Sequence, residues 1–323
     1  MYNIIQFAYT KAHTYKTEKS IFNIITGKKS HQTFFDACSQ QLMSLYHSIP
    51  QLKYPSFERY SKSMNTETEA NQSNIMISHP RHTYDSLANT FNAIQLLTQT
   101  LSNIQHGVHQ FVPVTQSNTV QKCVKQLYQY ISTENLQESF INELTSLFKL
   151  LSHHNDNVYL HYYLQGFEES MYTRQQVGLI EAIPQTELFE LELRDMVSMM
   201  YAIEDEQQFP LLNKLIILPT LLNKTEQTLL GIKQGMDFEH LALQQNVKPN
   251  TIEDHILELF IKGYLTNYED YLSNTNYIDF LNYYIDNRSE RLRNYKDKFS
   301  DFSYFEIKLM IVGLERGDLH VTR

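Results

Sequence analysis

The chain is poor in the residues on which many catalytic, secreted and membrane folds depend: 323 residues include no tryptophan, two cysteines, nine glycines and eight prolines. Cys38 and Cys123 cannot build a disulfide framework and show no metal-ligand spacing, so a reducing, cytoplasmic setting is expected. Scarce glycine and proline mean few tight turns, which points to an all-α fold. No run reaches the roughly 18 apolar residues of a membrane-spanning helix. The opening "MYNIIQFAYTKAHTYK" lacks the charged-then-apolar order of a signal peptide. G-x-S-x-G, H-E-x-x-H, the phosphate-loop pattern and the Gly-rich dinucleotide fingerprint are all missing. No residue is therefore named for catalysis, no cofactor is expected, and the chain is read as non-enzymatic.

The stretch "ITGKKSHQTFFDA" comes nearest to a phosphate loop, but Phe22 stands where the first glycine belongs and Lys29 where the hydroxyl belongs. It reads instead as a corner between helices. Gly27 suits a left-handed helix end and Ser30 an N-cap. Lys28 and Lys29 project from the corner, either as solvated charges or, with Ser30, as contacts to a DNA phosphate. The helix that follows places Phe34, Cys38, Leu42, Leu45 and Ile49 on one stripe and ends at Pro50.

Charge is uneven along the chain. Residues 1–60 hold seven Lys/Arg against three Asp/Glu, residues 61–219 eight against 17, and residues 220–323 12 against 16. An acidic whole repels phosphate at long range, so DNA contact must be local, weak and salt-dependent.

Residues 61–79 are polar and aperiodic, and read as a loop or linker. Apolar residues then recur every three or four positions. Leu87, Phe91, Ile94, Leu97, Leu101 and Ile104 mark one helix; Val120, Val124, Leu127 and Ile131 a second; Phe140, Leu144, Leu147 and Leu151 a third. Helices are also expected over about 156–170 and 172–183 and along "TELFELELRDMVSMMYAI". Pro210 and Pro219 end this bundle, giving an N-terminal helical domain over 1–218 and a second domain over 219–323.

The second domain opens with three short helices. The first carries Leu229 and Leu230 and stops near Gly235; the second carries Phe238, Leu241 and Ala242; the third carries Ile252, Ile256, Leu259 and Phe260 up to Gly263. Asn246 tolerates the left-handed conformation that the bend requires, and Asn250 with Glu253 has capping-box spacing. This pattern is a helix-turn-helix.

With its Leu241-Ala242, its turn, its Thr251-Ile252 and His255, and a closing "SYFEIKLMIVGLER", the segment resembles the helicase-associated helix-turn-helix family. That family forms the C-terminal module of RecQ-type DNA helicases and of small proteins encoded beside them. "SIFNIITGKKSHQTFFDA" is similar to the N-terminal segment of those neighbours. The resemblance implies an accessory of a RecQ-type DNA helicase in recombination, repair or replication-fork maintenance, with single-strand DNA-binding protein as a further partner.

Lys248, Asn250, Thr251 and His255 are the candidate base or phosphate contacts on the third helix, helped by Arg288, Arg291 and Arg293 in "NRSERLR". Glu253, Asp254 and Glu258 on the same helix oppose them, which favours protein docking or an intramolecular role for the module. His153, His154, Asp156 and His161 are not spaced to share a metal, and Glu204, Asp205 and Glu206 read as a solvated acidic run. The tyrosines of 264–287 read as packing residues, since no Lys or Arg lies among them. Two rival functions remain: a transcription regulator that reads an operator, and a protein-interaction scaffold without a DNA role.

Overall fold

The three- and four-residue spacing of apolar side chains is realised as α-helix along most of the chain. The computed structural model describes residues 2–64, 76–272 and 277–321, and no strand occurs among them. In chain order the helices are α1 (Tyr2–Lys11), α2 (Glu18–Thr26), α3 (His31–Ser39), α4 (Tyr54–Met64), α5 (Tyr84–Gln105), α6 (Asn118–Glu134), α7 (Gln137–His154), α8 (Arg174–Ile180), α9 (Gln185–Ile203), α10 (Asn223–Lys233), α11 (Phe238–Gln245), α12 (Pro249–Ile261), α13 (Tyr277–Asp286), α14 (Leu292–Lys298) and α15 (Tyr304–Arg316).

These helices belong to two units, and the division differs from the one expected. One unit is built on residues 84–217; the other combines 5–64 and 78–83 with 218–321. Residues 5–64 therefore belong with the helix-turn-helix rather than with the bundle, which takes only residues 2–4 of the described N-terminal segment. The regrouping also redistributes charge. Residues 84–217 hold six Lys/Arg against fifteen Asp/Glu, whereas 5–64, 78–83 and 218–321 hold 20 against 19. Nearly all the acidity lies in the bundle, and the unit with the helix-turn-helix is close to neutral.

In the bundle, α5 packs on α6 and α9, and α9 also packs on α7 and α8. The stripe Val120, Val124, Leu127 and Ile131 of α6 is buried throughout. Each such aliphatic side chain contributes roughly 1.5–3 kcal/mol. The helix expected over 156–170 is absent: after α7 the chain makes only a 3-10 turn at Leu160–Tyr163. The cause is Asp195, fully buried on α9. It accepts from the Asn155 side chain (2.9 Å) and from the Tyr159 N–H (2.7 Å), and Arg194 lies against it at 3.0 Å. That backbone N–H is thus spent on a side chain rather than on a helix. Burial raises the Asp195 carboxyl to about 6 despite these partners. The next helix, α8, starts at Thr173, which forms a reciprocal capping box with Gln176.

In the other unit, α3 ends early. Gln40 closes it and Gln41 turns left-handed (φ 56°), so the single helix expected as far as Pro50 is α3 followed by a 3-10 turn at Met43–Leu45. The stripe is still buried, because Phe34, Cys38, Leu42 and Leu45 are each within 2% of fully covered. α3 spends that face on α12 and α15 as well as α2. α4 occupies the start of the expected polar linker, with Phe57 buried edge-on to Phe22 (5.5 Å). Residues 65–75 of that linker lie outside the described residues.

Gly27 sits at the α2–α3 corner as expected, with φ 74°. A Cβ there would meet the His47 ring at 2.4 Å. Gly27→Ala is expected to lower stability by about 1–3 kcal/mol in chemical denaturation, from left-handed strain and this overlap. Lys28→Ala, one residue on and exposed, should stay within about 0.5 kcal/mol of the parent.

Candidate nucleic-acid interface

The helix-turn-helix forms as its residues dictate. Asp237 caps α11 by accepting from the His240 N–H (2.9 Å). Asn246 ends the helix in the left-handed conformation, φ 51°. Pro249 opens α12 at its first turn, so the N-cap is Lys248, without a side-chain cap, and not Asn250. The expected Asn250–Glu253 capping box is therefore not made. The tight crossing depends on Gly231 of α10: a Cβ there would come within 2.4 Å of Leu241. Ile252 and Ile256, fully buried, fill the angle between α11 and α12.

In a helix-turn-helix that reads DNA, the outer face of the second helix lies in the major groove. Here the second half of that helix is covered: every residue from His255 to Ile261 is buried, and α12 packs on α10, α11, α3 and α15. Leu257, Glu258 and Ile261 are buried together with Leu259 and Phe260, and only the tip, Lys248 to Asn250, is exposed. Glu253 and Asp254 flank that tip, half-buried, and Lys308 of α15 reaches Asp254 at 3.7 Å. Asn250, Glu253, Asp254, Tyr304 and Lys308 share a groove of about 210 Å³.

The cover is held by buried charge. Glu258 accepts from Lys262 (2.6 Å), from the Leu222 N–H (2.9 Å) and from Thr225 (2.6 Å), and the His31 ring of α3 lies at 3.1 Å. Burial alone would raise this carboxyl, but His31, Lys262 and Thr225 hold it at about 2. Lys262 sits 3.7 Å over the Phe34 ring and donates to the Thr220 carbonyl (2.7 Å). Burial lowers its own pKa, and Glu258 offsets part of that. His255 bonds to Thr228 (2.8 Å); burial, and His31 next to it, press it down to about 4.

The expected DNA contacts thus fall into separate places. His255 is buried and is not a contact; its spacing from Ile252 and Ile256 puts it on the inner face. Glu258, expected to oppose phosphate, is also inside. Ser30 caps α3, accepting from the Thr33 N–H (3.2 Å). Lys28 and Lys29 are exposed beside the far end of α12, where Lys29 adds to the depression of Lys262. Lys248, Asn250 and Thr251 are at the opposite end, about 18 Å away along the helix. Arg288 is half-exposed and lies 3.3 Å from Glu315; Arg293 faces Asp297 at 3.7 Å in solvent; Arg291 is exposed. Sequence reasoning missed the buried pairing of Glu258 with Lys262. Their i,i+4 spacing looks like an ordinary solvated pair.

In the bundle, His154, Asp156, Asp205 and Arg194 line a groove of about 760 Å³ between α7 and α9. His153 lies outside that lining. Among the tyrosines of 264–287, Tyr268 and Tyr284 are buried, as packing residues would be.

Residues 224–311 match the model of a family described as a helix-turn-helix domain. The protein is thus an all-α protein with a C-terminal helix-turn-helix. Along its length it is similar to protein YpbB of Bacillus subtilis (strain 168), with 22% identity over 329 residues covering 92% of each chain. No solved structure matches it. No helix among the described residues is long and apolar enough to cross a membrane.

Two measurements test the buried network. Glu258→Leu strands the Lys262 charge and should cost about 3–5 kcal/mol in denaturation, most of it recovered by adding Lys262→Met. His255 titrates near 6.5 when unfolded and about 4 here. The unfolded chain therefore takes up the extra proton between those values. Stability present above pH 6.5 is lost as pH falls toward 4. The Glu258 carboxyl, moved from 4.5 to about 2, extends the loss below pH 4.5. His255→Gln should flatten the upper part of the stability–pH curve and leave the lower part.

Proposed function

We propose that this protein is a non-enzymatic accessory of a RecQ-type DNA helicase, acting in recombination, repair or replication-fork maintenance. The observation that carries the accessory role is the enclosure of α12. An operator-reading regulator needs α12 free to enter a groove, whereas α3 and α15 pack on it, and the exposed tip offers Glu253 and Asp254 beside its few donors. A helix-turn-helix spent in this way serves as a rigid core on which partner surfaces are displayed. The acidic bundle, with fifteen Asp/Glu against six Lys/Arg over 84–217, supplies a docking surface for a basic partner. DNA contact is weak and rests on exposed cations of the unit that holds the helix-turn-helix, with Lys28 and Lys29 among the candidates. The helicase as partner follows from the family resemblance of the motif. Single-strand DNA-binding protein is the further candidate.

Pull-down from lysate with the full-length protein is expected to recover a RecQ-type helicase; recovery of neither a helicase nor a replication protein sinks the reading. Gel shifts on forked, duplex and single-stranded DNA should show weak binding without operator selectivity that declines steeply with salt. Lys28→Glu with Lys29→Glu should lower the affinity and flatten the salt slope. An unchanged slope would make that corner a merely solvated turn.

A further inference from the structure

If α12 does not reach the groove, the DNA backbone must be held elsewhere, and one surface of the same unit is built for anions. Lys11 lies in the last turn of α1, and the chain then folds back through residues 12–17. His13 is buried and fixed to the end of α3: its N–H donates to the Gln40 side chain (3.0 Å) and its ring bonds to the Ser39 carbonyl (3.2 Å). Tyr15 stacks on His13 with ring centres 5.6 Å apart and nearly parallel planes (7°). Lys16 reaches buried Asp36 at 2.5 Å and lies 5.1 Å from the Tyr15 ring. The loop that follows Lys11 and carries Lys16 is therefore rigidly mounted.

The corner between α13 and α14 is fixed to the same end of α3. Arg288 lies 3.3 Å from one oxygen of Glu315, and the other oxygen accepts from the Gln41 side chain at 2.8 Å. Arg291, the N-cap residue of α14, is exposed. The electrostatics agree with this convergence. Beyond the effect of burial, Lys16 and Arg288 both depress the His13 ring. Arg291 acts on the Tyr15 phenol, and Arg288 and Lys11 both act on Glu315. Cations from two segments some 270 residues apart in the sequence thus act on one small set of groups. The acids among them, Asp36 and Glu315, are buried and already engaged by Lys16, Ser20 and Gln32, and by Gln41 and Arg288. Lys11 and Arg291 have no ion-pair partner among the described residues, so their charge faces outward.

We propose that the phosphate backbone of DNA is held at this composite corner, by Lys11, Arg288 and Arg291, and not along α12. The proposal rests on the DNA-contact part of the reading above and gives it a location. These cations stand at a helix end, a corner and an N-cap rather than along one helix face, so the contact is to backbone, without base reading.

The test uses the full-length protein with fluorescein-labelled oligo-dT, and a duplex of the same length, from about 50 to about 200 mM salt. Lys11→Gln with Arg291→Gln removes two exposed charges that make no ion pair among the described residues, Lys11 keeping only a contact over the Phe7 ring at 5.9 Å. It should weaken oligo-dT binding on the order of tenfold at the low-salt end and make the plot of log affinity against log salt shallower by about 1.4, or about 0.7 per lost contact. Lys233→Gln, an exposed charge on α10, should change neither. An unchanged slope in the double variant, with loss in Lys248→Gln or in the Lys28/Lys29 variant, overturns the composite corner while leaving DNA contact standing. No binding by the parent protein overturns both. Phosphatidylserine-containing vesicles that bind as tightly as oligo-dT, and compete for the same residues, would assign the corner to a membrane surface and overturn it as well.

Discussion

Glu258 is the constraint on which the helix-turn-helix unit depends. An ionised carboxylate with no exposed atoms is tolerable only if its neighbours supply charge and hydrogen bonds, and here they come from three directions: Lys262 from its own helix, Thr225 and the Leu222 N–H from α10, and His31 from α3. Those partners fix where α3 and the start of α10 must lie against α12. Phe34, fully packed beneath the Lys262 ammonium, links the same point to the apolar stripe of α3. A greasy interface of this size could slide by a turn; one that must also satisfy a buried ion pair has a single register. The position of α3 then settles what α12 can do, since the helix that would read bases in a free helix-turn-helix is enclosed.

Much of this was legible in the sequence, and the parts that were not share a cause. Gly27 and Ser30 mark the α2–α3 corner because their local chemistry is sufficient: one accepts a left-handed backbone, the other caps. The S-x-x-E spacing of Ser303 and Glu306 opens α15 in the same way, and both halves of that capping box are made. Asn246 and the stripes of α10 to α12 revealed the helix-turn-helix. Periodicity states that a face is buried but not what buries it, and so the first sixty residues were assigned to the nearest bundle in the sequence. Ile252, His255, Ile256 and Leu259 lie on one stripe, and that spacing placed His255 inside; its polarity suggested the opposite. The break at Gln41 was invisible because the stripe from Phe34 to Leu45 continues across it.

The separation of charge follows from the same regrouping. Counted along the chain, acidity spreads over the middle and the end. Counted by unit, it belongs to the bundle, while the unit with the helix-turn-helix balances almost evenly and gathers its outward cations at corners rather than along a recognition helix. Protein partners with basic surfaces and nucleic-acid phosphate would therefore be drawn to different parts of one molecule. That division suits a protein that holds two kinds of macromolecule together.

The helix-turn-helix unit is assembled from both ends of the chain, with the bundle sequence running between its parts. His31 and Glu258 meet across more than two hundred intervening residues, so their pairing has to wait until the ribosome has delivered α12, and the cover is complete only after α15 emerges. Closing so long a loop is entropically slow rather than prohibitive, because the cost rises only with the logarithm of length. During synthesis α2 and α3 would present bare isoleucine and phenylalanine to solvent until α12 and α15 are made. For the same reason a fragment cut at the apparent boundary near residue 218 would carry the helix-turn-helix without α3, leaving Lys262 without the Phe34 ring and Glu258 without His31, and would be a sticky, poorly behaved species rather than a miniature of the native module.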